Sequence, residues 1–265
     1  MLFALNTNKE KIYAEQAVKT DNFICPGCNK PVILKKGDSK ISHFAHKVTD
    51  KCLFAHGETE AHLKGKDFFY NLLKNQNINV ELEVPLFNKN KDLIRIADIL
   101  VYYDELRPIP IEIQNSALKE ETLKKRIKDY KKAGCYALWI PLLKGDINYQ
   151  NNSLMLPYET IKNYSPSKTE RLLYDINILK QGCWYYRPED NSMYLIKHIR
   201  NKINKTNILG DIEEKEFKIR TTLLVKGPYS FNDIYLKPIK IPGKNIYTHF
   251  IIPKDDPSWK DWGKF

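Results

Sequence analysis

Apolar and polar residues alternate most regularly between residues 78 and 114. The stretch INVELEVPL has an apolar side chain at every second position, which predicts a strand with one buried face. The stretches LIRIADILVYY and IPIEIQ are rich in β-branched residues, and the polar segments NKNKD and DELRP separate the three stretches. We therefore predict three consecutive strands that are joined by short turns.

Two stretches beside these strands have the three-to-four-residue spacing of amphipathic helices. Their apolar positions are Ala61, Gly65, Phe68 and Leu72 in the first stretch, and Leu123, Ile127 and Tyr130 in the second. The apolar stretch CYALWIPL follows the second helix and predicts a fourth, mostly buried strand. The predicted order is helix, three strands, helix, strand, and the predicted class is α/β.

The regions on either side of this pattern have a different character, and we divide the chain accordingly. Residues 1–56 start with a predicted hairpin, made of LFALN and KIYAE, and continue as a short polar module rich in Cys and His. Residues 57–164 form the predicted α/β domain. Residues 165–265 form a C-terminal α+β region with one predicted helix, a hairpin of CWYYR and MYLIKHI, and a basic aromatic tail.

The formal net charge is +11, and this excess of basic residues favours an acidic partner, either nucleic acid or an anionic surface. No apolar run is long enough for a transmembrane helix, and the first residues lack the apolar stretch of a signal peptide. We expect a cytoplasmic protein without a membrane partner, in which the five cysteines bind metal or lie buried rather than form disulfides.

Two acids, Asp98 and Glu112, interrupt the apolar pattern of the second and third predicted strands. Glu112 and Gln114 share a strand face, and Asp98 lies in the neighbouring strand across a short turn, so both acids can converge on one point. Two carboxylates repel each other there unless a cation lies between them, and Mg²⁺ prefers such oxygen ligands. The alternative is that each acid is an exposed residue on a polar face.

The second predicted helix is strongly basic, with seven Lys or Arg and three acidic residues between positions 119 and 132. Arg126 and Tyr130 are neighbours on its surface, and beside a metal site such a pair could hold a phosphate and a base or sugar. The alternative is a solvated charged face. The predicted nucleic-acid contacts are Lys124, Lys125, Arg126, Lys128 and Tyr130.

The Cys/His module contains a Cys25-x2-Cys28 pair and, after 14 intervening residues, a His43-x2-His46 pair. Zinc favours thiolate and imidazole ligands, and a CxxC turn supplies two of them, so we predict a structural zinc at these residues. The close spacing of the histidines leaves Cys52 and His56 as alternative ligands. The other interpretation is a metal-free module whose HFAH segment packs on the α/β domain.

Seven short motifs, in order, resemble the competence protein CoiA family. They cover residues 1 to 145 and are FALN…IYAEQA, CPGCNKPVILKKG, HFAH, ETEAHLKGK, RIADIL, IEIQNS and RIKDYKKAG. The resemblance implies a nuclease core of the restriction-endonuclease-like PD-(D/E)XK superfamily behind a small Cys/His module. It also implies an association with DNA uptake and recombination.

By the same resemblance, Asp98 and Glu112 correspond to the two acids that bind Mg²⁺ or Mn²⁺ in the superfamily. An acid on the first helix completes the metal shell in related nucleases, and Glu58 is preferred to Glu60 because it shares a helix face with His62. Gln114 stands where many members have lysine, so it can orient water but carries no charge.

The implied function is that of a metal-dependent DNA nuclease, with recombination or DNA-uptake proteins as further partners. Three alternatives stay open at this point. The chain is instead a DNA-binding or recombination-accessory module without catalysis, an RNA-acting nuclease on the same scaffold, or a zinc-stabilised scaffold for protein interactions.

Overall fold

The computed structural model describes most of the chain in thirteen segments. They are residues 1–38, 40–47, 52, 54, 58–103, 108–115, 117–144, 149–150, 159–161, 167–176, 183–203, 218–240 and 247–254. None of the three helices formed by these residues has the length and apolar content that crossing a bilayer requires. The fold is mixed α/β and rich in sheet.

The N-terminal module is a small antiparallel sheet with a core of its own. Its strands are β1 (Phe3–Leu5), β2 (Lys11–Tyr13), β3 (Phe23–Ile24), β4 (Pro31–Gly37) and β5 (Lys40–His46), in the spatial order β2-β1-β3-β4-β5. Phe23 and Phe44 pack with their ring centroids 4.8 Å apart in this core. The predicted N-terminal hairpin is confirmed as the β1–β2 pair.

The middle of the chain follows the predicted order of elements. These are α1 (Glu60–Asn75), β6 (Asn79–Phe87), β7 (Leu93–Tyr102), β8 (Ile109–Gln114), α2 (Glu120–Lys132) and β9 (Leu138–Pro141). Strands β6, β7 and β8 are antiparallel neighbours, and β9 joins β8 in parallel after the α2 crossover. Helix α2 ends just before Gly134, whose φ of 75° is the left-handed geometry that glycine adopts readily.

Helices α1 and α2 pack into different apolar clusters on the two sides of this sheet. Ile111, Ile113 and Ile140 pack with α1, whereas Trp139 packs with α2. Helix α1 comes very close to β8, since a Cβ on Gly65 would lie 2.8 Å from the Ile113 Cγ2 atom. Glycine at this position therefore sets the distance between the helix and the sheet.

The alternation of strand β6 changes at Glu83, where the φ angle is 55°. Val80 and Leu82 pack on the α1 side, whereas Leu86, beyond Glu83, packs in the α2 cluster. The uniform alternation in the sequence therefore does not correspond to a single buried face. A left-handed conformation is costly for a residue with a side chain, and such residues often lie at functional sites.

The C-terminal region adds further strands to the α1 side of the molecule. Its elements are β10 (Tyr149–Gln150), β11 (Glu159–Ile161), α3 (Lys168–Ile176), β12 (Cys183–Arg187), β13 (Ser192–Ile203), β14 (Lys218–Tyr229), β15 (Ile234–Lys240) and β16 (Tyr247–Pro253). They form the sheet β10-β11-β14-β13-β12 and the β15–β16 pair. Tyr186 and Leu195 lie in the same apolar cluster as α1. The predicted boundary near residue 164 lies outside the described residues.

Candidate active site and metal centres

An open cleft lies where strands β7 and β8 separate, and its volume is about 400 Å³. The paired register of the two strands ends at Ile99 and Ile111, so Asp98 and Glu112 are the next residues on each strand. Helix α1 contributes His62 to the cleft. The separation of the strands exposes a place at which side chains from the sheet and from α1 can meet.

Three carboxylates lie at the same level on three adjacent strands. Glu83 falls between the Leu82–Ile99 and Val84–Ala97 pairs, which puts it level with Asp98, and Asp98 is level with Glu112. The Asp98 Oδ2 atom accepts a hydrogen bond of 2.9 Å from the Ile113 backbone N–H. The Asp98 backbone N–H lies 3.4 Å from the Glu112 Oε1 atom. The predicted convergence of Asp98 and Glu112 is therefore what the backbone arrangement produces.

His62 links two of the acids at the mouth of the cleft. Its Nδ1 atom lies 3.0 Å from Glu58 Oε1, and its Nε2 atom lies 3.1 Å from Asp98 Oδ2. Burial acts to lower the pKa of His62, but the charge of Asp98 and the two hydrogen bonds raise it to about 10. His62 is therefore protonated at neutral pH and occupies the position of a cation between the two carboxylates.

The same positive charge keeps Asp98 ionised. Burial acts to raise the pKa of Asp98, but the charge of His62 and its hydrogen bond outweigh burial, so the pKa is lowered. The ligand atoms of Glu58, His62 and Asp98 all lie within 4.8 Å of one another. Two carboxylates and one imidazole at this separation can hold a divalent ion.

A buried ion-pair network packs against the cluster of Glu58, His62 and Asp98 on its interior side. Lys66 is wholly buried, and its Nζ atom contacts both Glu58 and Glu83, at 2.5 Å in the second case. Both Glu83 oxygens also accept the Leu2 backbone N–H, at 3.0 Å each. Burial acts to raise the pKa of Glu58, but the charge of Lys66 lowers it well below its usual value. The network fixes Glu58 in place and ties strand β1 to the site.

Glu112 and Gln114 lie deeper, on the α2 side of the cleft. Both side chains are buried, and the Tyr130 hydroxyl donates a hydrogen bond to the Glu112 Oε1 atom. Burial and then repulsion from Asp98 raise the pKa of Glu112 to about 7, although Tyr130, Arg126 and Arg95 act in the opposite direction. Without a metal ion, Glu112 therefore takes up a proton at a higher pH than an ordinary glutamate does.

The residues predicted to contact nucleic acid have different positions. Arg126 lines the cleft, where its Nη1 atom lies 3.4 Å from the Gln114 Oε1 atom. Lys124, Lys125 and Lys128 are exposed on α2. The predicted contact of Tyr130 with a base or sugar does not fit the structure, because this side chain is 1% exposed and its hydroxyl is bonded to Glu112.

The second cluster brings together Cys25, Cys28, His46 and Cys52, whose ligand atoms lie within 4.8 Å of one another. The Cys25 and Cys52 sulfurs are 3.6 Å apart, and the Cys28 sulfur is 3.3 Å from the His46 Nε2 atom. Tetrahedral zinc with ordinary bond lengths would separate two sulfurs by about 3.8 Å and a sulfur from a nitrogen by about 3.5 Å. The Cys₃His set therefore fits zinc.

His43 does not join this cluster, which corrects its prediction as a zinc ligand. It lies three residues before His46 on strand β5, so the two side chains point to opposite faces. The His43 Nδ1 atom lies 2.9 Å from the Ile41 carbonyl oxygen. Cys52, predicted as an alternative ligand, takes the fourth place. His56, the other alternative, lies outside the described residues.

Three charged residues were not assigned a site role from the sequence, namely Glu83 and Arg95, which line the cleft, and Lys66, which is buried next to Glu58 and Glu83. Glu83 looked like an ordinary polar position of an alternating strand, and Arg95 looked like a polar position of the next strand. Lys66 was given no role. The spacing of four residues between Glu58, His62 and Lys66 was the available signal, since residues four apart along a helix are neighbours.

Two family models match the chain. The model described as "Competence protein CoiA, nuclease-like domain" matches residues 58–225, and the one described as "Competence protein CoiA, N-terminal domain" matches residues 5–55. The chain belongs to the competence protein CoiA family. The first match starts at Glu58, which pairs with His62, and includes all the charged side chains that line the cleft, whereas Met1 and Phe54 of the lining lie outside it. The carboxylates and arginines of the cleft therefore lie in the nuclease-like domain of the family.

A curated protein supports the same assignment. Competence protein CoiA of Bacillus subtilis (strain 168) is 30% identical to this chain over 129 residues. The match covers 47% of this chain and 32% of that protein, so the chain matches about a third of the length of this relative.

Proposed function

We propose that this chain is a divalent-metal-dependent nuclease that cleaves DNA phosphodiester bonds in competence-related DNA uptake or recombination. One observation carries the proposal. Asp98 and Glu112 lie level with each other where β7 and β8 separate, in an open cleft that also holds Glu58 and His62. The family membership supports a nuclease-like role, and the cleft supplies a place for the chemistry.

The order of elements in the nuclease-like domain supports a PD-(D/E)XK core. A helix is followed by three antiparallel strands, a second helix and a parallel fourth strand. The two acids lie in the second and third of these strands, as the resemblance implied. We assign the core to this superfamily on the combination of topology and acid positions.

The donor set of the cleft fits a divalent ion. Carboxylates suit Mg²⁺ and Mn²⁺, and the imidazole of His62 adds a ligand that suits transition ions, which favours Mn²⁺. Asp98, Glu58 and Glu112 would hold the ion, which would supply an activated water and stabilise charge on the phosphate. Since a ligating histidine is neutral, binding at His62 would also release its proton.

The remaining residues of the cleft bind and orient. The Gln114 amide, held beside Arg126, can both donate and accept a hydrogen bond to an attacking water. The exposed lysines of α2 would hold the DNA backbone. The Cys₃His cluster would be a structural zinc site in the cytoplasm, where thiols stay reduced.

A DNA-binding module without catalysis is the second candidate function. The observation that favours it is that His62 and Lys66 already neutralise Glu58 and Asp98, while position 114 carries no charge. Such a module would keep the cleft and the basic helix and would bind DNA without cleaving it.

The test is a cleavage assay with purified protein and labelled nucleic acids. Single-stranded, duplex and branched DNA, together with RNA of the same sequence, are incubated with Mg²⁺ or Mn²⁺. We expect cleavage of DNA that chelation abolishes and that Asp98→Asn lacks. Metal-independent cleavage, or equal cleavage by Asp98→Asn, would contradict the proposed site. Binding without cleavage would favour the second candidate, and preferential cleavage of RNA would change the substrate.

A further inference from the structure

We infer that Arg95 and Arg126 form a clamp for the scissile phosphate, and that their charge replaces the lysine absent at position 114. The inference rests on the proposed function and assigns a role to Arg95, which neither the sequence pattern nor the family match singled out. Among the described residues that line the cleft, these two arginines are the ones with a permanent positive side-chain charge.

Arg126 is held at the right place by its neighbours and still has donors to offer. Its Nη1 atom lies 3.4 Å from Gln114 Oε1 and 3.9 Å from Glu112 Oε2. The side chain is 30% exposed, so the guanidinium borders the open part of the cleft. Guanidinium has five N–H donors, and the contacts described involve Nη1.

For Arg95, the evidence for a ligand is a buried donor atom that lacks an acceptor. It lies on β7 three residues before Asp98, and its guanidinium carbon is 6.0 Å from the centre of the Tyr130 ring. Its Nε atom is buried and has no hydrogen-bond partner among the described residues. A buried donor without an acceptor is costly, so a ligand oxygen at this point would satisfy it.

Both arginines lie close to the Glu112 side chain, one at Oε2 and the other above the ring whose hydroxyl donates to Oε1. A phosphate that approaches Asp98 and Glu112 comes close to two carboxyl groups, which repel it to the extent that they are ionised. Two guanidinium groups on the same side offset that repulsion, and their planar forks match phosphate oxygens. The two guanidinium groups therefore fit the oxygens of a phosphate group.

Gln114 gains a second role in this arrangement. Its amide oxygen faces Arg126, so it orients the guanidinium instead of supplying a charge itself. In this chain the positive charge that the usual lysine would carry at position 114 is thus carried by Arg126. A lysine introduced at position 114 should then compensate for the loss of Arg126.

The first experiment measures binding without chemistry. A labelled DNA duplex is titrated with wild type, Arg95→Gln and Arg126→Gln by fluorescence anisotropy in Ca²⁺ over a range of salt. Each variant should bind about tenfold more weakly and should reduce the salt slope by about one, as expected for one lost phosphate contact. Arg171→Gln, an exposed arginine on α3 outside the cleft, is the matched control.

The second experiment measures single-turnover cleavage in Mn²⁺. Arg126→Gln should lose at least a hundredfold in rate, as expected when a group that stabilises transition-state charge is removed. The double variant Arg126→Gln/Gln114→Lys should regain most of that loss. Far-ultraviolet circular dichroism and thermal unfolding of every variant establish that it is folded.

The outcomes separate this inference from the proposed function. If wild type cleaves and both Arg→Gln variants bind and cleave like the Arg171→Gln control, the clamp is wrong while the nuclease function stands. If wild type does not cleave, the nuclease function fails, and the binding titration decides on the clamp by itself. Weaker binding with a lower salt slope supports the clamp, and unchanged binding overturns it.

Discussion

Lys66 is a wholly buried cation whose ammonium group lies between the carboxylates of Glu58 and Glu83. Removing one partner of a buried ion pair leaves the others uncompensated, which typically costs about 3–5 kcal/mol. We therefore expect Lys66→Met to lower the free energy of unfolding by about this amount in urea titrations. Lys64→Met on the same helix is the control, since Lys64 is partly exposed and pairs only with Glu60 among the ion pairs described, and it should change the free energy of unfolding by less than about 1 kcal/mol.

A second variant shows whether the charge is the cause. Lys66→Met/Glu83→Gln removes one of the stranded carboxylates and should recover a substantial part of the lost stability. Equal stability of Lys66→Met and wild type would mean that the network contributes nothing. Equal losses in the single and double variants would point to packing rather than to charge.

Glu112 gives the site a specific dependence on pH. Burial and then Asp98 raise its pKa from 4.5 to about 7, so between these values the folded state holds a proton that the unfolded chain has released. The free energy of unfolding should therefore fall as pH rises through this window. The contribution is on the order of a few kcal/mol, since each pKa unit corresponds to about 1.4 kcal/mol.

Glu112→Gln removes the contribution of Glu112 protonation to the free energy of unfolding, because glutamine does not titrate. Urea unfolding without added Mg²⁺ or Mn²⁺, from pH 5 to pH 8, should show wild type losing stability relative to the variant as pH rises. His62 and the other titrating groups are present in both proteins, so the difference reports mainly on position 112. Parallel curves for the two proteins would show that the pKa of Glu112 is not raised.

Sequence patterns could single out Asp98 and Glu112 as candidates because burying an acid inside an apolar strand is costly. Glu83 did not stand out in the sequence, because it occupies a polar position in a regular alternation of apolar and polar residues. Its burial depends on a φ of 55°, which turns the strand locally and which a two-residue repeat cannot encode. Helical spacing placed Tyr130 on the apolar face of the second helix, and this side chain is buried. The predicted nucleic-acid contact of Tyr130 conflicted with that position, and its hydrogen bond to Glu112 is a tertiary feature that spacing does not reveal.

At the scale of elements, the Cys₃His cluster forms because the Cys25–Cys28 turn, His46 on strand β5 and Cys52 come together. We expect purified protein, prepared without chelators, to contain about one zinc per chain by elemental analysis. Cys52→Ser and His46→Ala should lose the metal and melt at lower temperature, because binding free energy at a structural site is folding free energy.

His43→Ala is the matched control for that experiment. It lies on the same strand but on the other face, bonded to the Ile41 carbonyl oxygen, so it should keep its zinc. Zinc loss in His43→Ala with retention in Cys52→Ser would contradict the ligand set seen in the structure.

The order of elements in residues 58–142 was predictable because apolar periodicity dominates there. The ends of the elements were less predictable. Glu58 was expected to lie on the first helix, but helix α1 starts at Glu60, with Thr59 as its N-cap. This shift matters, because Glu58 lies before the helix and folds back toward His62 and Lys66. The choice of His46 and Cys52 over His43 required the register of β4 and β5, which ligand spacing alone does not give.

At the scale of the whole molecule, the net charge of +11 and the exposed lysines of α2 predict a salt-dependent interaction with DNA. Affinity should fall linearly on a logarithmic scale with salt, because bound cations release condensed counterions. Reversing Lys124, Lys125 and Lys128 to Glu should weaken binding at least tenfold and lower the salt slope. Anisotropy titrations at several salt concentrations measure both quantities.

The control reverses the same number of charges elsewhere. Lys19, Lys40 and Lys47 are exposed in the N-terminal module, and their change to Glu alters the net charge equally. If the two triple variants lose affinity to the same extent, net charge rather than the α2 surface governs binding. If the control loses more, the DNA path crosses the N-terminal module.

The most direct test of the central claim is the single-turnover rate of DNA cleavage as a function of Mn²⁺ concentration, for wild type and Asp98→Asn. The substitution keeps the size of the side chain and removes the charge that converges with Glu112. We expect the wild-type rate to rise with Mn²⁺ and to saturate, whereas Asp98→Asn should be slower by at least about a hundredfold at every concentration. A folded Asp98→Asn protein that cleaves at the wild-type rate, with the same dependence on Mn²⁺, would contradict the claim.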